Sequence, residues 1–313
     1  MSNEYQMEEW GWRVPFLLSL VFSPILYFIV SRSEESKLWS ERNDQKEDEN
    51  VIREQTHVEQ TPAFMDLLRS PFRRRQLLGM IGVMSVKACS FYTLFVWTPL
   101  YMSELRGLVT TQTADLMNLA VVSCYIIFLL IAGKMSDKFP HRQDLMKIGI
   151  LGCTFAAPVM FAMFESESPT GYFFAQLQYA LCMSFIQGGL AAWEVELWMA
   201  DPTLSFTGVA MGHNFSATIF GGTTPLVATC LYYYALNHKN DPYSSADLYW
   251  RMLPGIYVSL LGFMSLYCIG FVIRHPHDIR TGEKQVREAR AKQMKKRNKK
   301  MKNKVISVIG SSG

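Results

Sequence analysis

The sequence predicts an all-α integral membrane protein, in which one leading transmembrane helix and a charged linker precede a compact bundle of six transmembrane helices. Two observations carry this. Of 313 residues 49% are hydrophobic, and the 31 lysines and arginines and 27 aspartates and glutamates are nearly absent from seven runs and crowded between them. A soluble helix or strand instead spreads its charge at its own period. The runs cover 14–30, 77–101, 116–132, 148–164, 172–198, 209–236 and 252–273, most of them near the ~20 residues that cross ~30 Å of hydrocarbon at 1.5 Å per residue. A chain this short has too little surface-forming helix to bury seven such runs in a soluble core.

Residues 1–30 form the leading helix. Its first ten residues, MSNEYQMEEW, are acidic and lack the basic start and small-residue cleavage site of a secretory signal, so the run after them is read as a retained span. Residues 31–74 are the linker. Its stretch SRSEESKLWSERNDQKEDENVIREQTHVEQ carries both charge signs and too few apolar residues for a core, while TPAFMDLLRSPFRRR reads as an interfacial lead-in to the second span. Residues 75–274 hold the six-helix bundle, and residues 275–313 a strongly basic tail.

Short loops rich in lysine and arginine stay in the cytoplasm. One side holds the cations of the linker, Lys134, Lys138, Arg142, Lys147 and the tail; the other holds Arg13, Arg106, Lys239 and Arg251. The first side is therefore expected to be cytoplasmic, which puts the C-terminus inside a plasma or inner membrane. Each tail cation near anionic headgroups contributes about 1 kcal/mol, and the tail otherwise simply obeys the orientation rule. It has no aromatic interleaving, so no nucleic-acid partner is expected. All six cysteines fall inside apolar runs, with no disulfide framework or metal-ligand spacing. Neither a nucleophile–base pairing nor a phosphate-cradling glycine loop is visible, and no enzyme activity, cofactor or metal is expected.

The turn GKMSDKFPHR (133–142) is informative because it lies between two runs. A cytoplasmic turn explains Lys138, His141 and Arg142, which can meet lipid phosphates or carboxylates. It does not explain Gly133 and Asp137 four residues apart: the glycine permits close helix approach, and the aspartate can face the positive end of a neighbouring helix. The pattern resembles the loop signature of the major facilitator superfamily, G-x-x-x-D-[RK]-x-G-[RK]-[RK], with Gly133, Asp137, Lys138 and Arg142 matching and Pro140 and His141 departing. GWRVPFLL (11–18), YTLFVWTPLYM (92–102) and HNFSATIFGGTTPLVATCL (213–231) are similar to the metabolite:proton symporter branch, which includes carriers of proline and betaine, dicarboxylates, citrate and shikimate. The resemblance implies the C-terminal six-helix bundle of a major facilitator fold plus one leading helix, equivalent to helices six to twelve of twelve. It also implies that the N-terminal half is missing from this chain, and that Gly133, Asp137, Lys138 and Arg142 form half of a conformational latch whose partner lies there. WMADPTLSFTG (198–208) is longer than the family's loop and lacks its arginines, which puts any latch there in doubt.

Within the bundle, Lys87 lies ten positions into its run, roughly 15 Å deep by helix rise. A cation at such depth costs about 2.5 to 3.5 kcal/mol on insertion scales, so it should face protein or water. Two readings stand: counter-charge for an anionic substrate, or ion pair with a carboxylate of the missing half. Gln187 lies at a similar depth, seven residues before Glu194, which returns both to one helical face. The resemblance places Lys87 and Gln187 on cavity-lining helices. Glu194 and Glu196 near the mouth are either solvated or capping, or a proton relay. His213, beside Asn214, is either hydrogen-bonded structure or a proton carrier, its ordinary pKa of ~6.5 suiting the second. Gly188 and Gly189 read as a close-packing or bending site, and Gly221, Gly222 and Pro225 as an interruption that serves as a hinge.

The function expected is secondary active transport, by the chain or by a carrier of which it is the C-terminal half, moving a small polar metabolite with protons through alternating access. The alternative is a truncated, non-transporting membrane protein that docks onto or regulates a partner.

Overall fold

The computed structural model describes residues 11–32, 63–166, 168–198, 202–237, 249 and 251–273, and all its regular secondary structure among them is helical. The chain divides into two compact units, Met1–Thr61 and Pro62–Gly313. Most of the linker and the whole basic tail lie outside the described residues.

In the first unit a 3₁₀ turn, Gly11–Arg13, leads into α1, Val14–Arg32. Its hydroxyls return to the helix's own backbone, Ser19 donating to the Phe16 carbonyl at 2.5 Å and Ser23 to the Ser19 carbonyl at 2.9 Å. Such bonds satisfy a polar group where water is scarce. Arg32 ends the helix with its guanidinium 4.2 Å from the centre of the Phe28 ring.

The second unit opens with α2, Ala63–Arg69, the interfacial lead-in of the sequence reading. Leu67 is fully buried, whereas Phe64, Met65 and Leu68 are exposed. Ser70, at φ −83° and ψ 121°, breaks the helix because proline follows it. Then come α3 (Pro71–Leu105), α4 (Thr111–Ser136), α5 (Arg142–Met163), α6 (Pro169–Trp198), α7 (Pro202–Ser216), α8 (Thr224–Asn237) and α9 (Leu253–Val272). Four of the described helices, α3, α4, α5 and α9, are long and apolar enough to cross a membrane.

α3 begins six residues earlier than its apolar run, for a physical reason. Arg75 donates to the Phe271 and Val272 carbonyls at 2.8 and 3.1 Å, and the Gln76 amide donates to the Leu197 carbonyl. These polar residues are held helical by protein acceptors at the ends of α9 and α6. Further along, Pro99 lacks the N–H that a regular helix needs, and α3 runs through π-helical turns at Tyr92–Trp97 and Tyr101–Leu105. The Thr98 hydroxyl caps the Thr93 carbonyl there at 2.7 Å.

The core is aromatic and lies between α3, α5 and α6, with Trp97, Tyr101, Phe161, Phe164, Tyr179 and Trp193 essentially inaccessible. α4 shows the opposite of a soluble helix. It buries Ala114, Val121, Tyr125, Ala132 and Ser136, one helical stripe, and exposes Leu116, Leu119, Ile127 and Leu130. Small residues let α4 and α6 meet backbone to backbone. A Cβ added at Gly188 would lie 2.7 Å from the Ala132 carbonyl carbon and 2.8 Å from the Gly133 nitrogen.

Candidate functional site

α3, α6 and α7 bring Lys87, Glu194 and His213 together inside the second unit. Glu194 is 5% exposed, so it is not a solvated residue at the mouth. Its Oε1 lies 3.2 Å from Nδ1 of His213. Lys87 is half-buried and close enough to Glu194 for the two charges to interact, yet among the described residues its ammonium has no hydrogen-bond or ion-pair partner. Gln187 shares the α6 face of Glu194, and its Oε1 is buried without a partner among the described residues.

The levels of these groups follow from the Gln76–Leu197 contact, which aligns α3 with α6 at one end of the bundle. Lys87 is eleven residues along α3 from Gln76 and Gln187 ten residues back along α6 from Leu197, so both backbones sit about 15 Å from that level. Glu194 lies about 5 Å from it by the same rise. The pair of Glu194 and His213 is therefore nearer the end, with Lys87 and Gln187 deeper and the lysine's four methylenes spanning part of the gap. Asn214 is exposed on α7 and, among the described residues, is not hydrogen-bonded to any of the four.

The helical interruption lies beside this cluster. Between α7 and α8 the chain forms a π-helical turn, Ala217–Gly222, that packs on α3. Gly221 fits against the Tyr92 ring, where an added Cβ would lie 2.8 Å from Cδ2 and Cε2, whereas a Cβ added at Gly222 would meet no neighbouring element within 4 Å, only the Ala217 carbonyl oxygen at 3.9 Å. Pro225 falls in the first turn of α8, where its missing N–H costs nothing. Thr223 donates to the Ile219 carbonyl at 2.5 Å and Thr224 to that of Phe220, covering backbone oxygens that the interruption exposes.

The loop 133–142 is pinned within its own bundle. Arg142 bridges Asp137 at 2.6 Å and Glu196 of α6 at 3.0 Å. Asp137 thus faces the guanidinium at the start of α5, and Glu196, 38% exposed, is an ion-pair partner that remains partly solvated. A Cβ added at Gly133 would lie 3.8 Å from the Gly188 carbonyl oxygen, and one at Gly189 2.7 Å from the Ser136 hydroxyl. Lys138 is exposed and has no side-chain partner among the described residues.

A second ionic cluster escaped the sequence reading. At the opposite end Glu165 receives Arg106 at 2.7 Å and also Arg251. Arg106 donates to the Tyr101 hydroxyl at 3.2 Å, and Tyr232 donates to the Leu105 carbonyl at 2.7 Å. One carboxylate thereby ties the turn after α3, the turn after α5 and the segment before α9. Burial, and then the neighbouring Arg106, lower the Arg251 pKa from its ordinary value, without bringing a guanidinium near neutrality. The sequence signals only that these three charges lie in loops on one side, each with another charged residue within four positions. Among the described residues no group of histidines, cysteines and acids could hold a metal, and none of the cysteines is bridged.

Similarity to known proteins agrees with this architecture. The family profile of the Major Facilitator Superfamily matches residues 5–222. A putative proline/betaine transporter of Staphylococcus haemolyticus (strain JCSC1435) is 28% identical over 235 residues, 73% of this chain and 45% of the relative. The citrate-proton symporter of Klebsiella pneumoniae is 23% identical over 241 residues, covering 76% and 49%. The alpha-ketoglutarate permease of Escherichia coli (strain K12) is 25% identical over 225 residues, covering 72% and 48%. The chain spans about half the length of these curated relatives.

Proposed function

The chain belongs to the major facilitator superfamily, and on that premise we propose that it is the C-terminal six-helix bundle, with one leading helix, of a secondary active transporter for a small carboxylate-bearing metabolite. Transport is coupled to protons and proceeds by alternating access against an N-terminal half. The multi-pass membrane setting is given by the family and the four apolar helices. The boundaries proposed are a leading span in 1–30, a cytoplasmic linker in 31–74, the bundle in 75–274 and a basic cytoplasmic tail in 275–313. In this reading α6 and the α7–α8 pair also cross the membrane.

The observation that carries the proposal is Lys87, an ammonium inside the bundle with no partner among the described residues and with the Glu194–His213 pair about 10 Å nearer the end. A half-buried cation without a partner is costly, and a substrate anion would offset that cost. Gln187 offers an acceptor at the same depth, and Asn214 lines the same path. The interruption at Gly221, Gly222 and Pro225 serves as the hinge, with Gly188 and Gly189 as the packing seam. Gly133, Asp137, Lys138 and Arg142 form the latch, whose Lys138 remains available to a partner. The compounds in the relatives' names all bear a carboxylate, which suits Lys87. The named relatives are transporters rather than enzymes.

Disrupting the reading frame in its native cells tests this. Uptake of at least one of proline, betaine, citrate or alpha-ketoglutarate should fall, and the lost component should be the part that a protonophore abolishes. Unchanged uptake of all four, with the chain shown to be in the membrane beforehand, contradicts transport. It would favour a docking or regulatory role, a reading that the half-length match to the relatives keeps in view.

A further inference from the structure

Where α3 begins and α9 ends, two arginines without a counter-charge stand over an apolar groove. Behind the groove the helices touch. A Cβ added at Gly79 would lie 2.9 Å from the Val272 side chain, and one at Gly82 would meet Cys268. Arg75 closes this seam by donating from Nε to the Val272 carbonyl and from Nη2 to that of Phe271, last-turn oxygens with no partner in their own helix. Those acceptors are neutral, so the guanidinium keeps its charge, and Nη1 has no partner among the described residues. Arg74 beside it is exposed, and among the described residues neither arginine is paired with a carboxylate.

One turn further in, the surface is apolar. Arg75 meets the end of α9 and Gly82 meets Cys268, so the two helices run antiparallel. Counting round each helix from the seam turns Arg74 and Leu78 of α3, and Tyr267 and Phe271 of α9, to the same side of it. Leu78, Tyr267 and Phe271 are 65%, 60% and 74% exposed. The Tyr267 and Phe271 rings lie 5.6 Å apart, and the Tyr267 hydroxyl has no partner among the described residues. Leu78 is four residues from Arg74, about 6 Å by helix rise. Two cations followed within one turn by an apolar groove match a phosphate followed by an acyl chain. A soluble anion would satisfy the arginines and leave the groove bare; a neutral lipid would cover the groove and leave both charges.

We propose that this edge of the bundle is a site for one anionic phospholipid. Arg74 and Nη1 of Arg75 hold its phosphate, the Tyr267 hydroxyl donates to an oxygen of the headgroup region, and an acyl chain lies along Leu78 and Phe271. The glycine seam leaves no room for a chain between the helices, so the lipid sits in the outer groove. Because Arg75 also holds the last turn of α9, the lipid ties the end of α9 to the start of α3. The site adjoins the linker proposed above to be cytoplasmic, and anionic lipid is enriched in that leaflet.

The test is native mass spectrometry of the purified full chain in detergent, titrated with phosphatidylglycerol or, separately, phosphatidylcholine of the same chain length. Two arginines at about fivefold each should make the first phosphatidylglycerol bind roughly thirtyfold tighter than phosphatidylcholine. Arg74→Gln should weaken that binding about fivefold. Lys147→Gln, which removes a cation at the same end of the bundle from a pair 42% exposed on both sides, should leave it unchanged. The comparison of the two lipids on the unmutated chain stands whether or not either variant folds. Equal affinity for the two lipids overturns the proposal. Equal losses in the two variants overturn it as well, since they would show diffuse surface charge in place of a site. Glycerol 3-phosphate should not displace the lipid, and displacement by it would show a site for soluble anions instead. None of these outcomes bears on the carrier reading.

Discussion

Glu165→Gln should destabilise the bundle far more than a surface substitution does. Glutamine keeps the shape and removes only the charge, so the loss is electrostatic. The carboxylate holds two guanidiniums, and the side chains of Arg106, Glu165 and Arg251 are 18%, 22% and 28% exposed. Removing one partner of a fully buried ion pair costs about 3–5 kcal/mol, because it leaves a buried charge uncompensated. An exposed pair contributes about 0–1 kcal/mol. Two pairs at partial exposure lie between, and two arginines left facing each other add repulsion, so the expected loss is about 2–3 kcal/mol. For a unit of this size that corresponds to a fall of roughly 5–10 °C in Tm. The assay is thermal unfolding of the purified chain in detergent, followed by tryptophan fluorescence, since Trp97 is fully buried with its ring centre 4.8 Å from that of Tyr101. Asp144→Asn is the control. Its partner Lys147 is 3.1 Å away in a pair whose side chains are both 42% exposed, and the change should be within about 0.5 kcal/mol. A Glu165→Gln midpoint indistinguishable from that control would refute the view that this carboxylate holds three loops together.

Other substitutions test other joints. Gly188→Ala places a methyl group against the Ala132–Gly133 backbone, which cannot swing aside as a side chain can; a loss of about 1–3 kcal/mol is expected in the same melt, and an unchanged melt would mean that α4 and α6 do not meet there. Gly107 has φ +60° and open space around it, so Gly107→Ala should cost about 1–2 kcal/mol from backbone strain alone, with Gly107→Asn costing less. Equal losses for the two would point to packing instead. Arg142→Gln removes both Asp137 and Glu196 contacts and should raise the rate of protease cleavage within 133–142 severalfold; an unchanged rate would show that these bridges do not order the turn.

Much of the helical layout was legible because membrane helices exclude charge, a signal that needs no tertiary information. The interruption at Gly221 and Gly222 was legible for a similar reason, since adjacent glycines weaken a helix by their backbone freedom, whereas Pro225 falls in a first turn that tolerates it. Lys87 and Gln187 stood out as polar residues deep in apolar runs, and the seven-residue step placed Glu194 on the face of Gln187. The partners were not legible. Glu194 reads as a mouth residue along the chain, and only the packing of α7 on α6 puts His213 beside it. Arg142 and Glu196 are 54 residues apart, and Glu165 is 59 and 86 residues from its two arginines. Pairing over such separations is set by how helices pack, and a one-dimensional pattern of charges does not encode it. The early start of α3 was missed for the same reason, because the acceptors for Arg75 and Gln76 come from the ends of α9 and α6.

The most direct test of the central claim is initial-rate uptake by membrane vesicles from native cells carrying Lys87→Met in place of the unmutated chain, under an imposed proton gradient and with equal amounts of the protein in the membrane. The account predicts that accumulation of the carboxylate substrate falls to the level of cells lacking the chain. Uptake that remains at the unmutated rate would contradict it.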